Sequence, residues 1–261
     1  MTRGFRILFL LTALVGRADE PADQLTTAGV AEFMAAYEAW DGARFGAAAD
    51  LFRQAGARAS KTVEPFYWLG AAEFHRMLQI QTLPVTRSNK VAAARAMDAA
   101  LDALTRAVAL DARHAESHAL LGTIYGMKID GNVLRALQLG PRVQKHRSQA
   151  LEHGPDNPRV RYLLGVCQFH TAKKPAALRE ALASLELAER LFEAESARAA
   201  GPREPRWGHS SCLTFLGRTH ELLGERKQAA SYFRKALTRQ PSDHLAQEGL
   251  ARVAGGEGGE P

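Results

Sequence analysis

Leu-Gly pairs recur along this chain, and the residues around four of them constrain the fold more than any other sequence feature. These four begin at Leu69, Leu121, Leu164 and Leu216. The fullest pattern follows the last pair, with residues at +1, +4, +8, +13, +17, +20, +21 and +25 from its leucine, namely Gly217, His220, Gly224, Ala229, Phe233, Ala236, Leu237 and Pro241. No long apolar–polar alternation indicates a sheet, so these segments are predicted to be helical.

These residue types are typical of two antiparallel helices in close contact. Gly217 and Ala229 are small, which allows the two helices to approach closely. Gly224 is expected to end the first helix, because glycine enters the left-handed conformation without strain. Pro241 cannot continue the second helix. The space between the helices would be filled by large apolar side chains, namely Leu213, Leu216, Phe233 and Leu237.

Together, these residues resemble the tetratricopeptide repeat, a helix–turn–helix unit of about 34 residues whose copies stack into a solenoid. In the first unit Ala35-Ala36 stands in place of Leu-Gly. The chain also departs from the family pattern by insertions between Met77 and Ala100, between Ile129 and Val143, and over Glu193–Gly208. The resemblance implies an all-α solenoid of about five hairpins with lengthened helices and loops, its units covering about residues 28–62, 63–114, 115–157, 158–207 and 208–245.

The two ends of the chain are predicted to differ from the solenoid, which would span residues 28–252. Arg3 and Arg6 precede a short apolar run and then small residues, the pattern of a secretory signal peptide over residues 1–18. A linker over residues 19–27 and a disordered Gly/Glu-rich tail over residues 253–261 complete the division. We therefore expect an exported, periplasmic bacterial protein. For residues 1–18 the alternative is a short buried helix or an uncleaved anchor, and for the location of the protein the alternative is the cytoplasm.

The chain is mildly basic, and its charged residues are interspersed along the sequence. Removal of residues 1–18 takes away three arginines and no acids, so the formal net charge falls from +6 to +3. This distribution does not predict nucleic acid as a partner.

The repeat family implies that the first helix of each unit lines a concave groove. On this chain the inner positions carry many aromatic rings, which suit recognition because they combine a large contact area with a polar tip. Arg159 and Arg218 could pair with a partner's carboxylate. The candidate partner-binding residues are Phe33, Tyr37, Trp40, Tyr67, Phe74, His75, Arg159, Tyr162, Phe169 and Arg218. The alternative is that these rings pack on one another or on the inserted helices and close the groove.

The sequence does not predict catalytic chemistry, a metal site or a cofactor. His114 and His118 share a helix face, but a zinc site needs three or four ligands. Cys167 and Cys212 fall at positions where the repeat packs small residues, so we expect them to stay free. The chain is therefore predicted to be no enzyme but a scaffold of the cell envelope that binds a protein or peptide. The alternatives are an assembly factor that self-associates or docks on a membrane-associated complex, and a metal-dependent enzyme.

Overall fold

The computed structural model describes residues 21–255, which form eleven α-helices. Their bounds are α1 Ala22–Ala39, α2 Gly42–Arg58, α3 Val63–Gln81, α4 Arg87–Leu110, α5 Ala115–Ile129, α6 Val133–His153, α7 Pro158–Thr171, α8 Pro175–Ser196, α9 His209–Leu222, α10 Arg226–Arg239 and α11 His244–Gly255. The predicted signal peptide and the end of the predicted tail lie outside the described residues. The predicted all-α solenoid is confirmed: α1 to α10 form five successive hairpins, and α11 packs on the last one.

Close helix contact explains the glycine in three of these four Leu-Gly pairs, whereas a Cβ atom at Gly122 would lie at an ordinary distance of 3.4 Å from Arg147. A Cβ atom at Gly70 would lie 2.4 Å from Leu104, one at Gly165 2.7 Å from Leu185, and one at Gly217 2.7 Å from the Phe233 ring. These distances are shorter than a methyl group tolerates, so each glycine lets the first helix of its unit rest directly on the second. Gly224 follows α9 with φ of 80°, as the left-handed end of a helix requires.

Polar side chains fix where several helices begin. The Asp41 carboxylate accepts hydrogen bonds from the backbone N–H groups of Ala43 and Arg44 at the start of α2. Asn132 and Asn157 cap α6 and α7 in the same way. Such caps satisfy backbone donors that have no partner inside the helix.

At both ends the helices extend beyond the predicted solenoid boundaries of residues 28 and 252. Helix α1 begins at Ala22, inside the predicted linker, because Leu25 is buried with Leu51 and Ala55. Helix α11 runs to Gly255, inside the predicted tail, because Val253 is buried in the core.

The second insertion forms a helix. Residues 133–153 make one continuous helix, α6, which passes through Pro141. Its N-terminal half, residues 133–145, is largely exposed. No helix in residues 21–255 combines the length and apolar character needed to cross a membrane.

The first and fifth hairpins contact each other. The Gln240 side-chain amide donates to the backbone carbonyl of Tyr37 at 2.6 Å, and the Ser242 hydroxyl donates to the carbonyl of Glu38 at 2.6 Å. The Tyr37 hydroxyl also forms a 2.7 Å hydrogen bond with Ser211 at the start of α9. The solenoid is therefore closed on itself, with its concave side facing inward.

Candidate functional site

The residues predicted to line a groove lie on the inner side of the closed solenoid, but they do not face solvent. Trp40 and Arg218 are half-buried. The other eight have at most 9% of their surface exposed: Phe33, Tyr37, Tyr67, Phe74, His75, Arg159, Tyr162 and Phe169. The prediction of an open aromatic groove is therefore wrong, and its alternative, that the rings pack together and close the groove, describes the structure.

The segment between α8 and α9 fills the concave side. Trp207 is 1% exposed, and its indole N–H donates to the Tyr67 hydroxyl at 3.1 Å. Its ring lies 4.9 Å from the His75 ring, measured between centroids. The backbone N–H of Gly208 donates to the Tyr37 hydroxyl at 3.2 Å. This insertion thus supplies an indole that occupies the space where a groove ligand would bind.

His75 lies in the centre of this aromatic packing. Its ring contacts those of Phe33, Tyr37 and Phe45 at centroid distances of 5.3 to 5.7 Å. Its Nδ1–H donates to the Ala71 carbonyl at 2.8 Å. Because burial disfavours the charged imidazolium, the pKa of His75 is lowered to about 4. His75 therefore acts as a neutral part of the core at pH 7.

The carboxylates that pair with Arg159 come from this chain. Its guanidinium binds Glu116 at 2.7 Å and both oxygens of Glu195 at 2.6 and 3.0 Å. Burial alone would raise the pKa of Glu116, but the charge of Arg159 and hydrogen bonds from Tyr67, Arg159 and Asn157 lower it below the ordinary value. The network ties α5, α7 and α8 together. Sequence reasoning assigned Arg159 to a partner's carboxylate and missed the two internal ones.

Arg218 is also engaged within the molecule. Its guanidinium carbon lies 5.0 Å from the centre of the Phe169 ring and 4.9 Å from that of Phe215. These distances are typical of cation–π contacts. Neither predicted arginine is therefore presented to a partner as an open guanidinium.

A cleft lies where α3, α5 and α7 begin. This cleft has a volume of about 460 Å³, within the range of about 300 to 1,000 Å³ typical of ligand pockets. Helix α3 contributes one wall, and the turns before α5 and α7 and the α8–α9 segment contribute the rest. Its lining residues are Val63, Glu64, Tyr67, Trp68, Asp111, Arg113, His114, Ala115, Glu116, His153, Asn157, Arg203 and Pro205. We call it the α3–α5–α7 cleft.

The cleft combines aromatic walls with charges of both signs. The His114 ring lies 4.9 Å from the Tyr67 ring. Arg203 is held by Asp23 at 2.7 Å and Glu64 at 3.4 Å, whereas Arg113 is exposed. Burial raises the pKa of Glu64 despite the nearby Arg203. The wall is thus pre-formed, while Arg113 extends into solvent at its rim.

The histidines and cysteines do not assemble a metal site in the described part of the chain. Nδ1 of His118 lies 2.9 Å from Nδ1 of His146, and the other nitrogen of His118 lies 3.0 Å from the Ala112 carbonyl. Within residues 21–255 no group of three or more His, Cys, Asp and Glu side chains could hold a metal ion. Cys167 is half-buried and Cys212 buried, and both are free thiols.

Comparisons with known proteins show that this chain is similar in fold to several solved structures. No protein-family model and no curated protein matches this chain. Among solved structures, the thermophilic TPR protein TTC0263 from Thermus thermophilus matches with a TM-score of 0.62 at 16% identity, covering 89% of this chain and 98% of that one.

Two further solved structures have similar scores. The HusA haemophore from Porphyromonas gingivalis has a TM-score of 0.62 at 18% identity, covering 80% of this chain and 96% of its own. The APC/C hetero-tetramer Cut9–Hcn1 has a TM-score of 0.60 at 16% identity, covering 92% of this chain and 38% of that one. The structure of this chain is therefore similar to tetratricopeptide-repeat solenoids, with its concave side filled by its own α8–α9 segment.

Proposed function

We propose that this protein is a non-enzymatic scaffold that binds a polypeptide segment in the α3–α5–α7 cleft. The observation that carries the proposal is the cleft itself, an opening of about 460 Å³ beside the aromatic packing of the inner face. Aromatic walls beside charges of both signs suit a peptide, which offers apolar side chains, amide groups and charged groups together. The hetero-tetrameric assembly of the similar Cut9 solenoid with Hcn1 supports a protein partner.

The walls of the cleft are pre-organised for such binding. Tyr67 and Glu116 are hydrogen-bonded to each other and fixed by Trp207 and Arg159. A ligand that meets fixed groups loses less free energy to ordering the site. We further propose, from residues 1–18, that the protein is exported and meets its partner in the cell envelope; fractionation of cells that produce the full chain would test this.

Photo-crosslinking in the producing cells tests the cleft directly. A photoreactive phenylalanine analogue replaces Arg113 at the rim, and a matched chain carries it at exposed Lys227 on α10. We expect a discrete, protease-sensitive adduct from position 113 and none from position 227. Arg203→Glu should weaken the adduct, because it places a third carboxylate beside Asp23 and Glu64.

The experiment also contains the results that would contradict the proposal. Equal adducts from both positions, or none from position 113, would exclude a polypeptide in the cleft. An adduct that resists protease would indicate another class of ligand.

A further inference from the structure

Large apolar side chains are exposed in two segments that the proposed cleft does not use. Seven large apolar side chains are exposed within residues 21–255. Six of them lie at the tips of the second and third hairpins: Leu83 (40% exposed), Val85 (81%), Val91 (45%), Val133 (73%), Leu134 (71%) and Leu137 (72%). The seventh, Leu222, lies on α9.

The two tips lie at the same edge of the solenoid. The Lys128 ammonium, near the end of α5, binds Asp98 of α4 at 2.9 Å, and the Lys128 carbonyl accepts a hydrogen bond from Arg135 of α6 at 3.4 Å. Because Asp98 lies within reach of Lys128 near the end of α5, the part of α4 before Asp98 extends past the end of α5. We call residues 83–97 and 133–145 the α4/α6 edge.

The exposed surface of α6 is divided into an apolar stripe and a cationic stripe. At 100° per residue, Val133, Leu134, Leu137 and Pro141 fall within an arc of about 100°. Lys145, Arg142 and Arg135 occupy the adjoining arc of about 80°, and all seven residues are exposed.

The α4/α6 edge carries charge of one sign. It contains six arginines and lysines and no aspartate or glutamate: Arg87, Lys90, Arg95, Arg135, Arg142 and Lys145. The carboxylates next to these segments are Asp98, which pairs with Lys128, and Asp130 in the intervening turn.

We propose that the α4/α6 edge docks on the surface of an anionic lipid bilayer. Apolar side chains flanked by lysine and arginine, with no acids between them, are typical of surfaces that bury Leu and Val between lipid headgroups while the cations meet phosphates. The complementary charge is therefore negative, and the complementary surface must also accept apolar groups, which a nucleic acid backbone does not.

The shape of the edge favours a bilayer over a protein groove or helix. The apolar residues project from two separate hairpin tips and do not line a concave surface. Protein interfaces are depleted in lysine at their centre, whereas here Lys145 directly adjoins the apolar stripe of α6.

Vesicle binding tests the proposal with the full chain. Sedimentation with vesicles of phosphatidylcholine and phosphatidylglycerol (3:1) should recover the protein, and pure phosphatidylcholine vesicles should not. Leu134→Asp with Leu137→Asp, and separately Arg135→Glu with Arg142→Glu, should each lower the partition coefficient by about tenfold or more. Raising the salt concentration should weaken binding. Leu222→Asp and Lys227→Glu are the matched controls, and both should bind like the unmodified chain.

A local probe separates the edge from the apolar run in residues 7–15. In a Cys167→Ser chain, an environment-sensitive dye on Val133→Cys should shift to the blue when anionic vesicles are added, and the same dye on Lys227→Cys should not. Edge variants that bind as well as the unmodified chain, or a dye at position 133 that does not respond, would overturn the proposal. Equal binding to neutral vesicles, or an edge that binds an acidic protein but no vesicle, would overturn it as well.

Discussion

At the scale of single residues, the protein uses polar groups to organise its interior. Arg159 is 3% exposed, and its carboxylate partners Glu116 and Glu195 are each 7% exposed. A buried ion pair adds little over a well-packed apolar pair, but loss of one member leaves an uncompensated charge in a site of low dielectric constant. The network links α5, α7 and α8, and its stability depends on every member keeping its partner.

Replacement of Arg159 by methionine should lower the free energy of unfolding by roughly 3–5 kcal/mol, because Glu116 then remains buried without a cation and Glu195 keeps only Arg198, at 3.9 Å. Urea denaturation followed by circular dichroism measures this loss. Glu116→Gln and Glu195→Gln, added to the same chain, should restore most of it. A loss below about 1 kcal/mol, or no recovery in the triple variant, would contradict this account.

His75 should make stability depend on pH in the acidic range. The unfolded state takes up a proton on this residue near pH 6.5, whereas the folded state does so near pH 4. Stability is therefore fully present above pH 6.5 and falls as the pH decreases from 6.5 to 4.

The His75→Phe variant should lose less stability than the unmodified chain between pH 7 and pH 5, by roughly 2 kcal/mol. Urea denaturation at both pH values provides the comparison. Between pH 7 and pH 8 the two proteins should show the same pH dependence, and a difference there would indicate another titrating group.

At the scale of elements, the inserted segments decide what the inner face can do. The hairpins follow from the Leu-Gly pairs and from the small residues opposite them, because those residues set how closely two helices pack. The α8–α9 segment has no such periodicity. Trp207 lies there among prolines and arginines, and only the long-range packing of the closed solenoid places its indole against Tyr67 and His75.

The Trp207→Ala variant should lose about 3–5 kcal/mol of stability, since it removes a fully buried side chain and leaves a cavity. It should also bind a hydrophobic dye such as anilinonaphthalene sulfonate more strongly than the unmodified chain, because the inner rings become accessible. Trp40→Ala removes a half-buried indole and should cost less on both measures. If the two variants lost equal stability and bound the dye equally, Trp207 would have no specific role in filling the concave side.

The difference between the periodic hairpins and the non-periodic α8–α9 segment explains why the candidate site could be predicted only in part. The sequence correctly gathers Tyr37, Tyr67 and His75 on the inner side, since their helix positions face it. Whether that side is open depends on Trp207 and on Glu116 and Glu195, which lie far away in the chain. Spacing within one unit carries no information on these partners.

At the scale of the whole molecule, closure links residues about two hundred positions apart. The carbonyl of Tyr37 is near the C-terminal end of α1, where helix carbonyls lack partners within the helix, and Gln240 supplies the missing donor. Stability is therefore not a simple sum over neighbouring hairpins, as it is in an open repeat array.

Gln240→Ala combined with Ser242→Ala should release this contact without disturbing the middle of the solenoid. Hydrogen exchange should accelerate in α1 and α10 by about fivefold or more, and remain unchanged in α5. A uniform change across all helices, or none in α1, would show that the end-to-end contact is not an independent source of protection.

The contact between the first and fifth hairpins also limits how such a protein can vary. An open array can gain or lose a hairpin by duplication or deletion, because each added copy needs only a neighbour to pack on. Here an extra hairpin would push Gln240 and Ser242 away from the end of α1 and withdraw Trp207 from the centre. Within residues 21–255, closure therefore disfavours insertion of a hairpin between the first and the fifth, while it is compatible with changes in the length of the joining segments.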